Sequence, residues 1–403
     1  MRALALLAPL TLAGLAGCSE FKPVDYRNCD HLGWDLEPTQ LELECRCNEH
    51  AALCRGLEDV EALSGGAGIG VGPRVVDLGP NAYWMHGEVW EDRGEIIAAV
   101  TWGSLSLSES AGIWAFDWER NARRIVSGGG HDAVQGAYTV GEGPLLTKIR
   151  TAWRGPDDMI YTYDRYLGVV RVDPDSGLRE VVWDRDTGPF CLDPTQEEES
   201  PLAIDVNTGF AVGPNGEFYL SANDSSGWGD LGHTVVRIAA DGGSCELLSS
   251  SGSGYQLGTG PDFSFPVQEL QYVNGTLYAM TASQLLSLDL ETGDRVELEY
   301  DFLPGQLQWD ETNQLLWLSG IKETYGVGIY QYEPATDFTH VMADCLMLPA
   351  PHPIALTCPV KPMWGSFNDG GGWLLPDGRF MQAQGQSIKV LEPLTGNNHI
   401  YSF

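Results

Sequence analysis

The chain has 403 residues and a formal net charge of −33, with 56 acidic residues against 23 basic ones, only five of them lysine. Phosphate backbones are bound through basic faces, so this balance argues against nucleic acid as a partner, and anionic lipid head groups would repel it. The length suits one large domain or two ordinary ones.

The opening MRALALLAPLTLAGLAGC carries one arginine, an apolar run and small residues ending at Cys18. This pattern predicts an export signal over residues 1–17, too short to span a bilayer. Leu15-Ala16-Gly17-Cys18 resembles the lipobox of bacterial lipoproteins. The resemblance implies cleavage before Cys18 and its acylation, which makes the lipid bilayer a partner and exceeds the two anchors that stable attachment requires. An ordinary cut near Ala16 or Gly17, leaving a free thiol, is the alternative. By the same resemblance, Ser19 in place of Asp after the cysteine implies sorting to the outer membrane. No later stretch is apolar enough to span.

Residues 18–28 read as a tether and 29–63 as a small Cys-rich module holding Cys29, Cys45, Cys47 and Cys54. Their spacing lacks the paired C-x-x-C knuckles of a structural zinc site, so two local disulfides are expected in an exported chain. Residues 64–72 form a Gly-rich linker; GAGIGVG lacks the flanking strand and helix of a nucleotide loop. Farther along, Cys191 with Cys245, and Cys345 with Cys358, are expected to pair.

From 73 to 403 one two-part phrase recurs six times. Its first halves are GEIIAAVTW, DMIYTYD, GEFYLSAND, GTLYAMTA, NQLLWLSG and GRFMQAQG. Its second halves are IWAFDWERN, VVRVDPDSG, VVRIAADGG, LLSLDLETG, IYQYEPATD and IKVLEPLTG. Two-residue alternation bounded by Asp, Asn, Gly and Pro reads as antiparallel strands. Repetition at this period predicts an all-β fold, a six-bladed β-propeller of four-stranded antiparallel blades. PRVVDLG (73–79) is expected as an extra strand closing the ring. Asp117, Asp173, Asp289, Glu333 and Glu392 fall in the hairpin from third to fourth strand, where they serve as turn-formers rather than ligands.

GVVRVDPDSGLREVV and GSGYQLGTGPDFSFPVQELQYVNGTLYAM resemble NHL-type repeats. That resemblance implies the propeller, not an activity. Glu142-Gly143-Pro144 is also similar to the E-G-P motif of six-bladed propellers of the gluconolactonase and senescence-marker type. Those hydrolyse lactones or esters around Ca²⁺ in the channel. Acidic and amide groups near predicted inner strands extend the candidate Ca²⁺ set to Asp205, Asn223, Asp224, Glu269, Asn368 and Asp369. The sequence demands no cofactor, and calcium is the ion these groups would suit.

Other chemistry finds no support. G-x-S-x-G, H-E-x-x-H and phosphate-loop motifs are missing. His86 and His233 are the histidines expected near a channel face, and each reads best as a satisfied polar core residue. Trp84, Trp90, Trp102, Trp114 and Trp118 read as packing between blades rather than as sugar platforms. Trp228, in the polar loop DSSGWGDLGH, is the candidate ligand contact. The expected function is a membrane-anchored module binding a protein or glycan, not catalysis. The alternative is a Ca²⁺-dependent lactonase or esterase working in the channel.

Overall fold

The computed structural model describes residue 78 and segments 82–102, 110–120, 122–128, 140–189, 191, 209–223, 232–252, 256–298, 302–310, 314–322, 326–334, 338–345, 372–376, 380–384, 387–392 and 397–402. The signal peptide, tether, Cys-rich module and linker lie outside the described residues, as do Cys345's expected partner Cys358 and most of 73–79.

Six antiparallel sheets follow one another along the chain. The first joins β1 (Tyr83–Trp90), β2 (Glu95–Trp102), β3 (Ser110–Asp117) and β4 (Ala122–Gly128) in order. The second joins β5 (Trp153–Arg154), β6 (Ile160–Asp164), β7 (Gly168–Val172) and β8 (Arg179–Asp184). The third runs β9 (Phe210–Val212), β10 (Phe218–Asn223), β11 (His233–Ile238), β12 (Cys245–Ser251) and β13 (Gln256–Leu257). The fourth holds β14 (Glu269–Val273), β15 (Thr276–Met280), β16 (Leu285–Asp289) and β17 (Arg295–Glu297). The fifth holds β18 (Phe302–Asp310), β19 (Leu315–Lys322), β20 (Gly326–Glu333) and β21 (Phe338–Cys345). The sixth holds β22 (Gly372–Leu374), β23 (Phe380–Gln384), β24 (Ser387–Glu392) and β25 (Asn397–Ser402).

The fold is thus an all-β propeller of four-stranded antiparallel blades. Five sheets, rather than all six, have the four-strand form expected; the third adds β13. The cause is the connection leaving β12, which turns back and pairs with its outer edge, Ser250 opposite Leu257. An isolated bridge between Gly128 and Val140 does the same outside the first sheet. Both cover an edge that would otherwise offer unpaired backbone groups.

Alternation along each strand sends successive side chains to opposite faces, and both faces are buried against neighbours. Ile96, Ala98, Val100 and Trp102 of β2 pack with Trp373, Leu375 and Met381 of the sixth sheet. Ile97 and Ala99 face the other way, onto Ile149, Ile160 and Val170 of the second. The core is therefore a series of layers between successive sheets, continued between second and third, third and fourth, and fourth and fifth. Trp84, Trp90, Trp102, Trp114 and Trp118 are all buried in these layers, with Trp84 and Trp114 meeting edge to face at 5.8 Å. The first strands β1, β5, β9, β14, β18 and β22 touch in that order, and β22 meets β1, so the ring is closed around a channel. Of the expected closing segment 73–79, Leu78 is described; it packs beside Trp84 and Trp373.

Three of the five repeated acids are seen to make turns. The Asp117 carboxylate accepts from the Glu119 and Arg120 amides. Asp173 does so from Asp175 and Ser176, and Asp289 from Glu291 and Thr292. These amides hold the Asp173 and Asp289 carboxyls below the usual carboxylate range. A carboxyl depressed on folding stabilises the fold above its unfolded pKa of about 3.9 and loses that effect as pH falls through its folded value. Acid titration of folding is thus expected to leave these turns intact down to about pH 4.

Six residues beyond each of Asp173 and Asp289 stands a buried arginine that joins two sheets. Arg179 donates to the Pro144 carbonyl (2.6 Å), the Val140 carbonyl (2.7 Å) and Ser127 Oγ (2.7 Å). Arg295 repeats the set on Pro261 (2.7 Å), Leu257 (3.0 Å) and Ser249 Oγ (2.7 Å). In the third sheet the corresponding position is Cys245, and it is disulfide-bonded to Cys191 with Cα atoms 5.0 Å apart. One expected pair is therefore present, and it occupies the place of an arginine. Arg295→Met leaves several buried carbonyls without donors and is expected to cost about 3 kcal/mol. Arg237→Met, which breaks the exposed pair with Glu246, should cost less than about 1 kcal/mol in the same urea unfolding measurement.

Candidate functional site

Inside the channel, His86 from β1 meets Glu269 from β14, with Nδ1 2.8 Å from Oε1. The two strands belong to the first and fourth of the six sheets, so the contact crosses the channel. Both residues are 8% exposed. The Leu307 amide of β18 donates to Glu269 Oε2 at 2.6 Å, which fixes the carboxylate. Oε1 faces the His86 imidazole, the other contact of this carboxylate.

Local backbone features place each group. The register of β1 against β2 slips between Trp84 and Gly87, so Met85 and His86 sit in a bulge that re-aims the imidazole. Gly87 is required there: a Cβ would lie 1.9 Å from the Ile97 carbonyl oxygen. The His86 amide is tied at 2.9 Å to the Arg150 carbonyl, in the connection that leads into β5. A second slip, between Pro304 and Gln306, precedes Leu307. Glu269 is seated by Gly209, whose absent Cβ would press within 2.9 Å of the Glu269 backbone. Ser221 Oγ accepts from the Gly209 amide (3.0 Å) and donates to the Val267 carbonyl (2.8 Å), which holds that approach.

Of the two calcium candidates whose side chains are described, Glu142 and Glu269, Glu269 is the one brought to the channel. Glu142 is exposed on the connection between the first and second sheets, where its carbonyl accepts from the Arg179 amide at 2.8 Å. The E-G-P likeness has a structural cause. Gly141-Glu142-Gly143-Pro144 and Gly258-Thr259-Gly260-Pro261 are two copies of one turn wrapped around Arg179 and Arg295. Gly143 and Gly260 have φ of 112° and 105°, and a Cβ on either would strike the carbonyl oxygen of its arginine. Threonine at the equivalent of Glu142 shows that the turn does not need a carboxylate. The Asn223 side chain, Asp205, Asp224, Asn368, Asp369 and Trp228 lie outside the described residues. His233 is the first residue of β11.

Ca²⁺ takes six to eight oxygen ligands. Among the described residues no three His, Cys, Asp or Glu side chains gather in one place. A single carboxylate beside an imidazole nitrogen does not fit calcium. The sequence had drawn attention to His86 and Glu269 separately. Their pairing, and the part of the Leu307 amide, had no local signal.

No protein-family model and no curated protein matches the chain. Among solved structures it is similar to an oligogalacturonate lyase in complex with manganese, at TM-score 0.45 and 10% identity over 80% of this chain and 78% of that one. It is similar to an oligogalacturonate lyase from Vibrio parahaemolyticus, at TM-score 0.43 and 9% identity over 80% of each chain. It is also similar to a calcium-binding protein, regucalcin, from Agrobacterium tumefaciens, at 0.42 and 11% over 80% of this chain and 85% of that one. Likenesses this distant assign no ligand or reaction to this chain.

Glu269→Leu removes the acceptor of the Leu307 amide and is expected to destabilise the fold by about 2 kcal/mol. Glu269→Gln keeps an acceptor and should cost less than half as much, both read by thermal unfolding.

Proposed function

We propose that the protein is an exported lipoprotein, held in the outer membrane through acylated Cys18, whose six-bladed propeller binds a protein or glycan ligand on one face. The observation that supports this reading is the unequal length of the connections. Turns from first to second strand, and from third to fourth, contain two to six residues. The long connections (129–152, 185–209, 224–232 and 346–371) join strands at the other end, where the inner strands begin. A rigid scaffold with its variable segments gathered at one end is the usual arrangement of a recognition surface. The strong negative charge favours solubility of the exposed body and a ligand that is not polyanionic.

Hydrolysis of a lactone or ester in the channel is the competing reading. It needs several oxygens converging there, and Glu269 is the one the described residues supply.

Two outcomes are expected. Cys18→Ala moves the protein from the membrane to the soluble fraction, and the mass of the mature N-terminus carries the acyl chains; an unmodified Cys18 sinks the anchor. The soluble variant, tested on a glycan panel and on immobilised envelope proteins, binds a ligand whose affinity falls roughly tenfold in Trp228→Ala. Calcium-stimulated turnover of a lactone or ester panel would replace binding with catalysis.

A further inference from the structure

We propose that Phe265, Ser264 and Gln284 form a subsite for a neutral oligosaccharide at the loop-bearing end, where the chain enters inner strand β14. The subsite rests on the reading that this end recognises a ligand, and it narrows that ligand to an uncharged sugar. Among the described residues the large apolar side chains left exposed are Tyr166, Leu178, Phe265 and Val296. The two aliphatic ones belong to outer strands: Leu178 precedes β8 and Val296 lies in β17. Both aromatic ones stand at the loop-bearing end, Tyr166 in the turn from β6 to β7 and Phe265 in the connection before β14. Phe265 is 48% exposed, and its neighbours show that the scaffold does not use it. Phe263 is buried, with the Arg295 guanidinium 5.3 Å over its ring, and Val267 is buried as well. Between them Ser264, Phe265 and Pro266 are exposed. A phenyl ring held there offers water a flat apolar face with no hydroxyl to compensate.

The polar groups beside the ring are uncharged and fixed in place. The Ser264 amide and hydroxyl both donate to Gln284 Oε1, at 2.8 and 2.7 Å. Ser264 Oγ also lies 2.7 Å from Ser283 Oγ. Buried Thr281 shapes the turn that carries Gln284, its Oγ1 accepting from the Ser283 and Gln284 amides at 3.2 and 3.0 Å. A backbone N–H can only donate, so the Ser264 amide fixes Oε1 as the oxygen end of the Gln284 side chain. The NH₂ end keeps its donors for a ligand, since no described residue supplies them an acceptor. An apolar ring face beside oriented amide and hydroxyl groups suits a pyranose, whose C–H face stacks while its hydroxyls pair. The chain carries a net charge of −33, but Ser264, Phe265, Pro266, Ala282, Ser283 and Gln284 carry none. This selects a neutral sugar over a carboxylated or sulfated one, which the acidic body repels. One phenyl ring and a proline are also far less apolar surface than a stable protein interface needs.

The test is calorimetric titration of the full Cys18→Ala chain with cellohexaose, maltohexaose, xylohexaose and mannohexaose, with a heparin hexasaccharide as the charged comparison. At least one neutral sugar is expected to bind and the heparin fragment is not. Phe265→Ala is expected to weaken that binding roughly tenfold. Gln284→Glu keeps the acceptor for Ser264 but removes the donors, and is expected to weaken it roughly fivefold. Leu178→Ala, in a turn at the opposite end, leaves it unchanged. The bound sugar is also expected to shift the Gln284 side-chain amide resonances in the chain without these substitutions, a readout that needs no variant to fold. Neutral-sugar binding that survives both Phe265→Ala and Gln284→Glu overturns the subsite while leaving the loop-bearing face as the recognition surface. Capture of a protein alone, or of the heparin fragment alone, does the same. Failure to bind any sugar or protein defeats the subsite and the binding role together.

Discussion

A short twisted sheet with apolar side chains on both faces cannot hide either face by itself. That constraint governs this molecule. Each strand of the first three sheets alternates, and the alternation sends half of its side chains toward the preceding sheet and half toward the next. A linear stack would leave two terminal faces exposed to water. Closing the ring removes them, as Trp373 of the last sheet does by packing on Trp84 and Trp114 of the first. Trp84, Trp102, Trp114 and Trp118 fill the layer between the first and last sheets together with Trp373, where large aromatic side chains bury much apolar area.

Ring closure also sets where polar chemistry can occur. At the rim, the connection between sheets must cross a gap lined by carbonyls, and Arg179 and Arg295 fill it with guanidinium donors rather than with an ion pair. Burial pushes both of these arginines below their ordinary pKa, a cost compensated by hydrogen bonds to the surrounding carbonyls. At the axis, six inner strands bring together residues far apart in sequence, and there His86 and Glu269 meet.

The scaffold was legible in the chain because its information is local. Period-two alternation and Asp-initiated turns lie within a few residues of each other, so GVVRVDPDSGLREVV read directly as β7, a turn and β8. Asp117, Asp173 and Asp289 were understood for the same reason. Glu142 misled because three residues are too few to separate a ligand motif from a glycine turn. Its partner, Arg179, lies 37 positions on, and only the second copy at Gly258–Pro261 exposes the pattern. The candidate site was legible as residues but not as a site. His86 and Glu269 are 183 positions apart, and their meeting depends on a bulge in β1 and on Gly209, just before β9, that no periodicity announces.

Three sheets show what can occupy the position at which an outer strand grips the connection before it: arginine in the second and fourth, a cystine in the third. These grips differ in timing. A guanidinium finds its carbonyls as soon as the chain collapses. The Cys191–Cys245 bond closes a span of 54 residues and waits for an oxidant. Assembly of the ring therefore has a chemical checkpoint at its third member, and a newly made chain kept reduced is a propeller with one joint still unfastened.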